Sequence, residues 1–286
     1  MPRTPADVLT RMRSISTSSP RLVWHGTDGR IELSGRVFDN WVAKSANLLV
    51  DELDATASTR IALDLPPHWK TLALAFACWQ VGAVVVLGAE EARDGGPATG
   101  SGPDDADIVM TSRERSPLDP PRLLACVALG SLALRWDGPL PRGAVDYAAE
   151  VRSHGDVFFG DPMSSQDDDA VDPVLVVHAG RAITAPELLA PAGIPTADRS
   201  AGPATVLLEA GTDPLRSLAV ALAVWQEEGT LVLVEEGVPV TDRMLAGERV
   251  TDRLGPSLPD GDRPGGSPPG WTGQVRRAGA GSPGRD

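Results

Sequence analysis

The sequence predicts an α/β fold, a layered sheet built from βαβ units, and three observations carry that expectation. Short apolar, β-branched runs alternate with longer segments whose apolar residues recur at helical spacing. Two of these alternations read strand, helix, strand: Arg60 to Leu65, His68 to Val81 and Ala83 to Leu87, then Thr205 to Glu209, Pro214 to Gln226 and Thr230 to Val234. The flanking strands are continuous apolar runs, the pattern of strands covered on both faces, and such crossovers are almost always right-handed.

Each element has a local reason. Asp7 to Met12 starts a short helix, followed by a loop over Ser14 to Pro20. Arg21 to His25 and Arg30 to Leu33 flank Gly26-Thr27-Asp28-Gly29, a hairpin signal because Asp-Gly tolerates the positive φ of a tight turn. Ser34 is a helix N-cap, and Val37, Trp41, Ala46, Leu48, Leu49 and Leu53 follow at helical spacing. Pro66-Pro67 closes the Arg60 to Leu65 strand, and Gly82 ends the next helix. Ile108 to Thr111 is a strand, Leu123 to Leu134 holds another with its flanks, and Asp146 to Arg152 a short helix. Val174 to His178 is a strand, and Thr184 with Glu187 three residues on has the spacing of a capping box. Pro214 suits the first turn of its helix.

Two regions are expected: an α/β domain over 1–250 and a disordered tail over 251–286. The tail is rich in Pro, Gly, Arg and Asp, and has too few apolar groups to offset the entropy of ordering. A domain of 250 residues needs neither disulfide nor metal for stability.

The net charge of −13 argues against nonspecific nucleic-acid binding and against docking on anionic lipid, both of which need clustered cations. No nucleic-acid or membrane partner is expected. Cys78 and Cys126, both inside apolar runs, read as buried thiols. The polar first 20 residues lack a signal core, so the expected compartment is the cytoplasm. Lys44 and Lys70 are the only lysines, which limits any chemistry that needs an ammonium.

Three stretches resemble the N-terminal part of the adenylate-forming superfamily, which includes acyl-CoA synthetases, peptide adenylation domains and luciferases. They are Ile31-Glu32-Leu33-Ser34 leading through Trp41 to Leu53, Arg60 to Pro66, and Gln80-Val81-Gly82-Ala83-Val84-Val85-Val86. Asp107 to Thr111 and Gly229 to Val234 extend the similarity more faintly, and no single motif decides it. The resemblance implies an ATP- and Mg²⁺-dependent ligase whose Ser/Thr/Gly loop, ending Pro-Lys-Gly, grips phosphate with backbone N–H groups and a lysine. The corresponding stretch here is Val176-Val177-His178-Ala179-Gly180-Arg181-Ala182-Ile183-Thr184, with one glycine and no lysine. The family's adenine-binding motif, ribose-binding aspartate and catalytic lysine of a C-terminal domain have no counterpart in the sequence. A hydrogen bond to a charged group is worth about 1.5–3 kcal/mol. Three or four lost ones outweigh the roughly 4 kcal/mol of a millimolar complex.

The expectation is therefore a non-catalytic relative acting as a binding or interaction module, with a protein as its candidate partner. No catalytic residue, metal site or cofactor is expected. The alternative is a reduced acyl- or amino-acid-activating ligase completed by a partner chain, and only that reading calls for ATP and Mg²⁺. Candidate binding residues are His178, Gly180 and Arg181, placed where a strand end can host a ligand in an open α/β sheet. Asp94 to Gly102 reads as a surface loop, Asp167-Asp168-Asp169 with Asp172 as a solvated acidic turn, and His25, His68 and His154 as scattered. Trp41, Trp69, Trp79 and Trp225 lie on helices and are expected to fill the core.

Overall fold

The computed structural model of the protein describes residues 3–15, 17–88, 105–160, 172–190, 202–255 and 276–277. The chain opens with α1 (Pro5–Ser14), the hairpin β1 (Pro20–Gly26) and β2 (Gly29–Ser34), and α2 (Gly35–Asp51). Next come β3 (Arg60–Asp64), α3 (Trp69–Val81), β4 (Val84–Leu87), β5 (Ile108–Thr111), β6 (Leu123–Cys126), β7 (Val145–Asp146) and α4 (Tyr147–Glu150). Then follow β8 (Val174–His178), β9 (Arg181–Thr184), α5 (Ala185–Leu188), β10 (Thr205–Leu208), α6 (Pro214–Gln226), β11 (Thr230–Val234), α7 (Asp242–Gly247), β12 (Asp252–Leu254) and β13 (Arg276–Arg277).

Both expected βαβ units are present, β3–α3–β4 and β10–α6–β11, each with its strands parallel. The strands divide into two sheets. One has the order β13-β12-β10-β11-β1-β2 and the other β7-β6-β5-β3-β4-β8-β9. Side-chain alternation shows how they share a core. Leu22, Trp24, Val206, Leu208, Leu231 and Leu233 of the first sheet join Ile61, Leu63, Val85, Leu87, Ile108 and Met110 of the second in one cluster with α2, α3 and α6. The intervening residues face outward: Val23, Leu207 and Val232 meet Met244 and Leu245 of α7, while Ala62, Val86 and Val109 pack on the far face of the other sheet.

A helix layer shared by two sheets must be apolar all round, and α3 and α6 are. Every residue of α3 from Trp69 to Trp79 is buried. Pro66 and Pro67 precede α3; Gly82 ends it at φ 83°, and a Cβ there would press against Ala57. Amphipathic α2 buries Phe38, Val42, Ala46 and Leu49, and Ser34 caps it by accepting from Val37 N–H. Phe38, Phe76, Trp79 and Trp225 join the helices in a chain of ring contacts 4.9–5.6 Å between centroids. Two indoles then anchor this layer to a sheet on each side. Trp225 Nε1 donates to Arg21 O (2.7 Å) in β1, and Trp79 Nε1 to Leu175 O (3.0 Å) in β8.

Cys78 and Cys126 are buried free thiols, and no helix of the described residues is long and apolar enough to cross a membrane. The ordered sheet runs past the expected boundary at Val250. Asp252–Leu254 pairs parallel with β10 because Leu254 reaches the shared core and Thr251 N–H bonds Thr205 O. The rest of the expected tail, apart from the strand at 276–277, lies outside the described residues, as do Asp94 to Gly102 and Asp167 to Asp169.

Candidate functional site

The three candidate residues from the sequence sit in and beside one tight turn. Strands β8 and β9 pair antiparallel with His178 opposite Arg181, leaving only Ala179 and Gly180 between them. Both have positive φ, 49° and 76°, the backbone of a hairpin turn that matches strand twist. Gly180 is there because that conformation costs a non-glycine residue roughly 1–2 kcal/mol.

The two side chains have different partners. Arg181 lies on the surface and pairs with Glu187 at 2.6 Å. Glu187 also accepts from Thr184 N–H at 2.9 Å, completing the capping box of α5, and this backbone hydrogen bond above all holds its carboxyl below the usual range. His178, opposite Arg181 in the pair and so on the same face of the sheet, has another partner. Its Nε2 is 3.6 Å from the carboxylate of Asp213, whose Oδ1 caps α6 by accepting from Arg216 N–H. Arg181 and His178 are thus held by different carboxylates, Glu187 and Asp213, and the buried Nδ1 of His178 is left without a partner among the described residues.

A cleft of about 650 Å³ opens instead between the two sheets, within the size range of small-molecule sites. It lies at the carboxyl ends of parallel strands. Trp24 comes from β1, Leu63 and Asp64 from β3, Gly88 from beyond β4, Ala210 to Thr212 from beyond β10, and Val234 to Glu236 from the end of β11. Both α3 and α6 begin at this cleft. Open α/β sheets bind their ligands at such carboxyl ends.

His68 forms part of the wall. It is 2% exposed and is the N-cap of α3, with Nδ1 accepting from Lys70 N–H at 3.0 Å. Trp24 meets it edge-on, 4.3 Å between centroids. Burial, helped by the nearby Lys70 charge, pushes its pKa down to about 3, so the ring is neutral at pH 7. An Nδ1 that accepts bears no proton, which assigns the hydrogen of the neutral ring to Nε2. This Nε2–H has no hydrogen-bond partner among the described residues.

Lys70 is equally buried. Its ammonium donates to Ala128 O (2.5 Å) and Gly130 O (3.0 Å) and lies 5.4 Å from the centre of the Trp69 ring. Burial lowers its pKa to about 8, with the charge of Arg152 adding to the effect. Asp28 holds the same loop from the opposite sheet, accepting from Ser131 N–H (2.6 Å) and Oγ (2.7 Å). These two grips fix Leu129 in the cleft wall.

The charges lining the cleft are mostly negative: Asp64, Glu235 and Glu236 against Arg113. Asp64 accepts from Thr111 Oγ1 at 2.8 Å and faces the exposed Arg113 at 3.7 Å, while Glu235 accepts from Thr27 N–H at 2.5 Å. Among the described residues no group of three or more His, Cys, Asp or Glu could hold a metal ion. Sequence reasoning missed the cleft and His68. The one local signal was a histidine directly before a helix, where Ser, Thr, Asp or Asn is usual.

No family model matches the chain. A TIGR03089 family protein of Mycobacterium tuberculosis is 34% identical over 158 residues, covering 52% of this chain and 59% of that protein. An acyl-CoA synthetase of Brucella canis superposes with a TM-score of 0.60 at 15% identity, over 87% of this chain and 47% of its own. The N-terminal domain of FACL13 from Mycobacterium tuberculosis does so with a TM-score of 0.54 at 14% identity, over 87% of this chain and 61% of its own. The chain therefore spans about half the length of these proteins, and what it shares with the solved ones is the α/β fold of their N-terminal part.

Proposed function

We propose that this chain, with the fold of the N-terminal part of an acyl-CoA synthetase, is a non-catalytic relative that uses the scaffold as a binding module. One observation supports the reading most: β8 passes to β9 through Ala179-Gly180 alone, where the sequence resemblance calls for a phosphate-gripping loop. A nest for a triphosphate needs several successive backbone N–H groups turned to one side and a cation behind them. A two-residue turn has no length for such a nest, and the nearby cation, Arg181, is held outward by Glu187. Lys70 is committed to two carbonyls, and Lys44 donates to His154 O at 2.5 Å. Neither lysine is left for a phosphate. Calorimetric titration with ATP and Mg²⁺ tests this reading; no saturable heat is expected up to millimolar nucleotide, and micromolar binding overturns it.

The cleft at the strand ends favours a second reading, in which the chain is part of an acyl- or amino-acid-activating ligase completed by a partner chain. Exchange of labelled pyrophosphate into ATP, dependent on a carboxylic acid, is its test. Exchange with a co-encoded partner would establish it, and its absence with every such partner removes it.

A further inference from the structure

We propose that the cleft takes a small neutral molecule with an apolar body and a carbonyl acceptor, and that His68 Nε2–H is the donor that reads it. The inference rests on the binding-module reading and names the ligand class of that same cleft.

Four observations lead there. First, the cleft has the volume of a small-ligand site, and Trp24, Leu65, Pro66, Pro67, Leu129 and Pro214 give it apolar walls. Second, His68 is almost wholly buried yet lines this cleft, and its Nε2–H is unpartnered among the described residues. Nε2 itself opens on the cleft, where an acceptor on a bound molecule can take the place of water.

Third, the ring's donor role is fixed. Nδ1 is occupied by Lys70 N–H, so Nε2 is left to donate. The ring also stays neutral, because burial and the nearby Lys70 ammonium both oppose a second proton. It offers one hydrogen bond and no charge.

Fourth, the other ionised groups are unsuited to an anion. Asp64, Glu235 and Glu236 outnumber Arg113, whose guanidinium already faces Asp64. A carboxylate or phosphate would enter a cleft edged mostly by like charge, with Arg113 already facing Asp64 and only the helix starts and a neutral imidazole to receive it. An amide, ester or ketone oxygen asks for no more than that one donor.

Three isosteric probes separate the classes: benzamide, benzoate and benzylamine, titrated against the full chain by ligand-observed NMR. The protein is labelled with ¹⁵N-histidine, and two-bond correlations pick out the His68 ring as the one that keeps its hydrogen on Nε2 alone at pH 5. Benzamide is expected to bind at least about tenfold more tightly than benzoate or benzylamine, a difference set by one satisfied donor. It should also shift the His68 Nε2 resonance. His68→Asn retains an acceptor for Lys70 N–H but removes the donor, and should bring benzamide down to the affinity of benzoate. If that variant fails to fold, the wild-type Nε2 shift with benzamide decides the question alone.

The proposal is overturned if benzoate or benzylamine binds as tightly as benzamide, if benzamide binds without moving the His68 signal, or if none of the three binds. None of these results bears on the non-catalytic reading, which stands or falls on the ATP titration.

Discussion

The β8–β9 turn and the start of α3 both follow a parallel strand of the same sheet, and they are built in opposite ways. At the turn the exposed groups pair locally: Gly180 supplies the backbone twist, Arg181 pairs with Glu187, and Thr184 bonds the same carboxylate, while the buried Nδ1 of His178 has no partner among the described residues. At the start of α3 the groups are buried and one is left over. His68 caps the helix with one ring nitrogen and presents the other to a cleft. Nε2 of His68 is accessible from the cleft and is free to meet whatever occupies it. The two regions thus offer different candidates for binding: His68 at the cleft wall, and His178 with Arg181 at the turn.

The largest effect that would break this comparison is acid sensitivity. His68 has its folded pKa lowered to about 3, whereas a free histidine titrates near 6.5. Between those values the unfolded chain holds a proton that the folded chain refuses, so stability falls as pH drops from 6.5 toward 3. The slope from this group reaches about 1.4 kcal/mol per pH unit. Urea unfolding at a series of pH values should show it, and His68→Asn should flatten it; an unchanged slope would mean that His68 is not the buried neutral ring described. Lys70 has the same sign at higher pH. Its folded pKa near 8 lies below the unfolded 10.5, so stability rises again across that window.

Lys70→Met comes next. It keeps the apolar stem but leaves Ala128 O and Gly130 O without their donor. A loss of about 2–3 kcal/mol is expected on the cost of buried unpaired carbonyls. Denaturant midpoints would measure it, and a neutral result would show that the loop carrying Leu129 is held by Asp28 alone.

Much of this fold was legible because it is written locally. The helices α2, α3 and α6 carry their caps at Ser34, Gly82 and Asp213, and their apolar residues recur with a period that no strand shares. The four helical tryptophans end up in or against the core as expected, Trp41 against Trp69 and the others nearly inaccessible. The division into two sheets was not legible, because it depends on pairing β1 with β11, about 200 residues apart. Strand β9 was hidden inside the stretch compared with a phosphate loop, and α7 has no buried residue to give it a period. The site was legible only in part. His178 does stand at a strand end, but its approach to Asp213 and the opening of His68 onto a cleft are contacts between distant segments.

The turn supplies the smaller effects. Gly180→Ala forces a side chain onto φ 76° and should cost roughly 1 kcal/mol, read from a thermal or urea midpoint. Arg181→Ala should cost less still. Its partner Glu187 and Arg181 itself are about half exposed, and solvent screens such a pair to between 0 and about 1 kcal/mol. Glu187 keeps its bonds to Thr184 in the variant, so the capping box of α5 survives. The informative measurement on this variant is binding. If Arg181 were a phosphate ligand, its loss would weaken any anion association by far more than it weakens the fold. If the turn is only a turn, Arg181→Ala leaves every binding isotherm of the protein where it was, while His68→Asn does not, and that pair of variants separates the two regions in a single experiment.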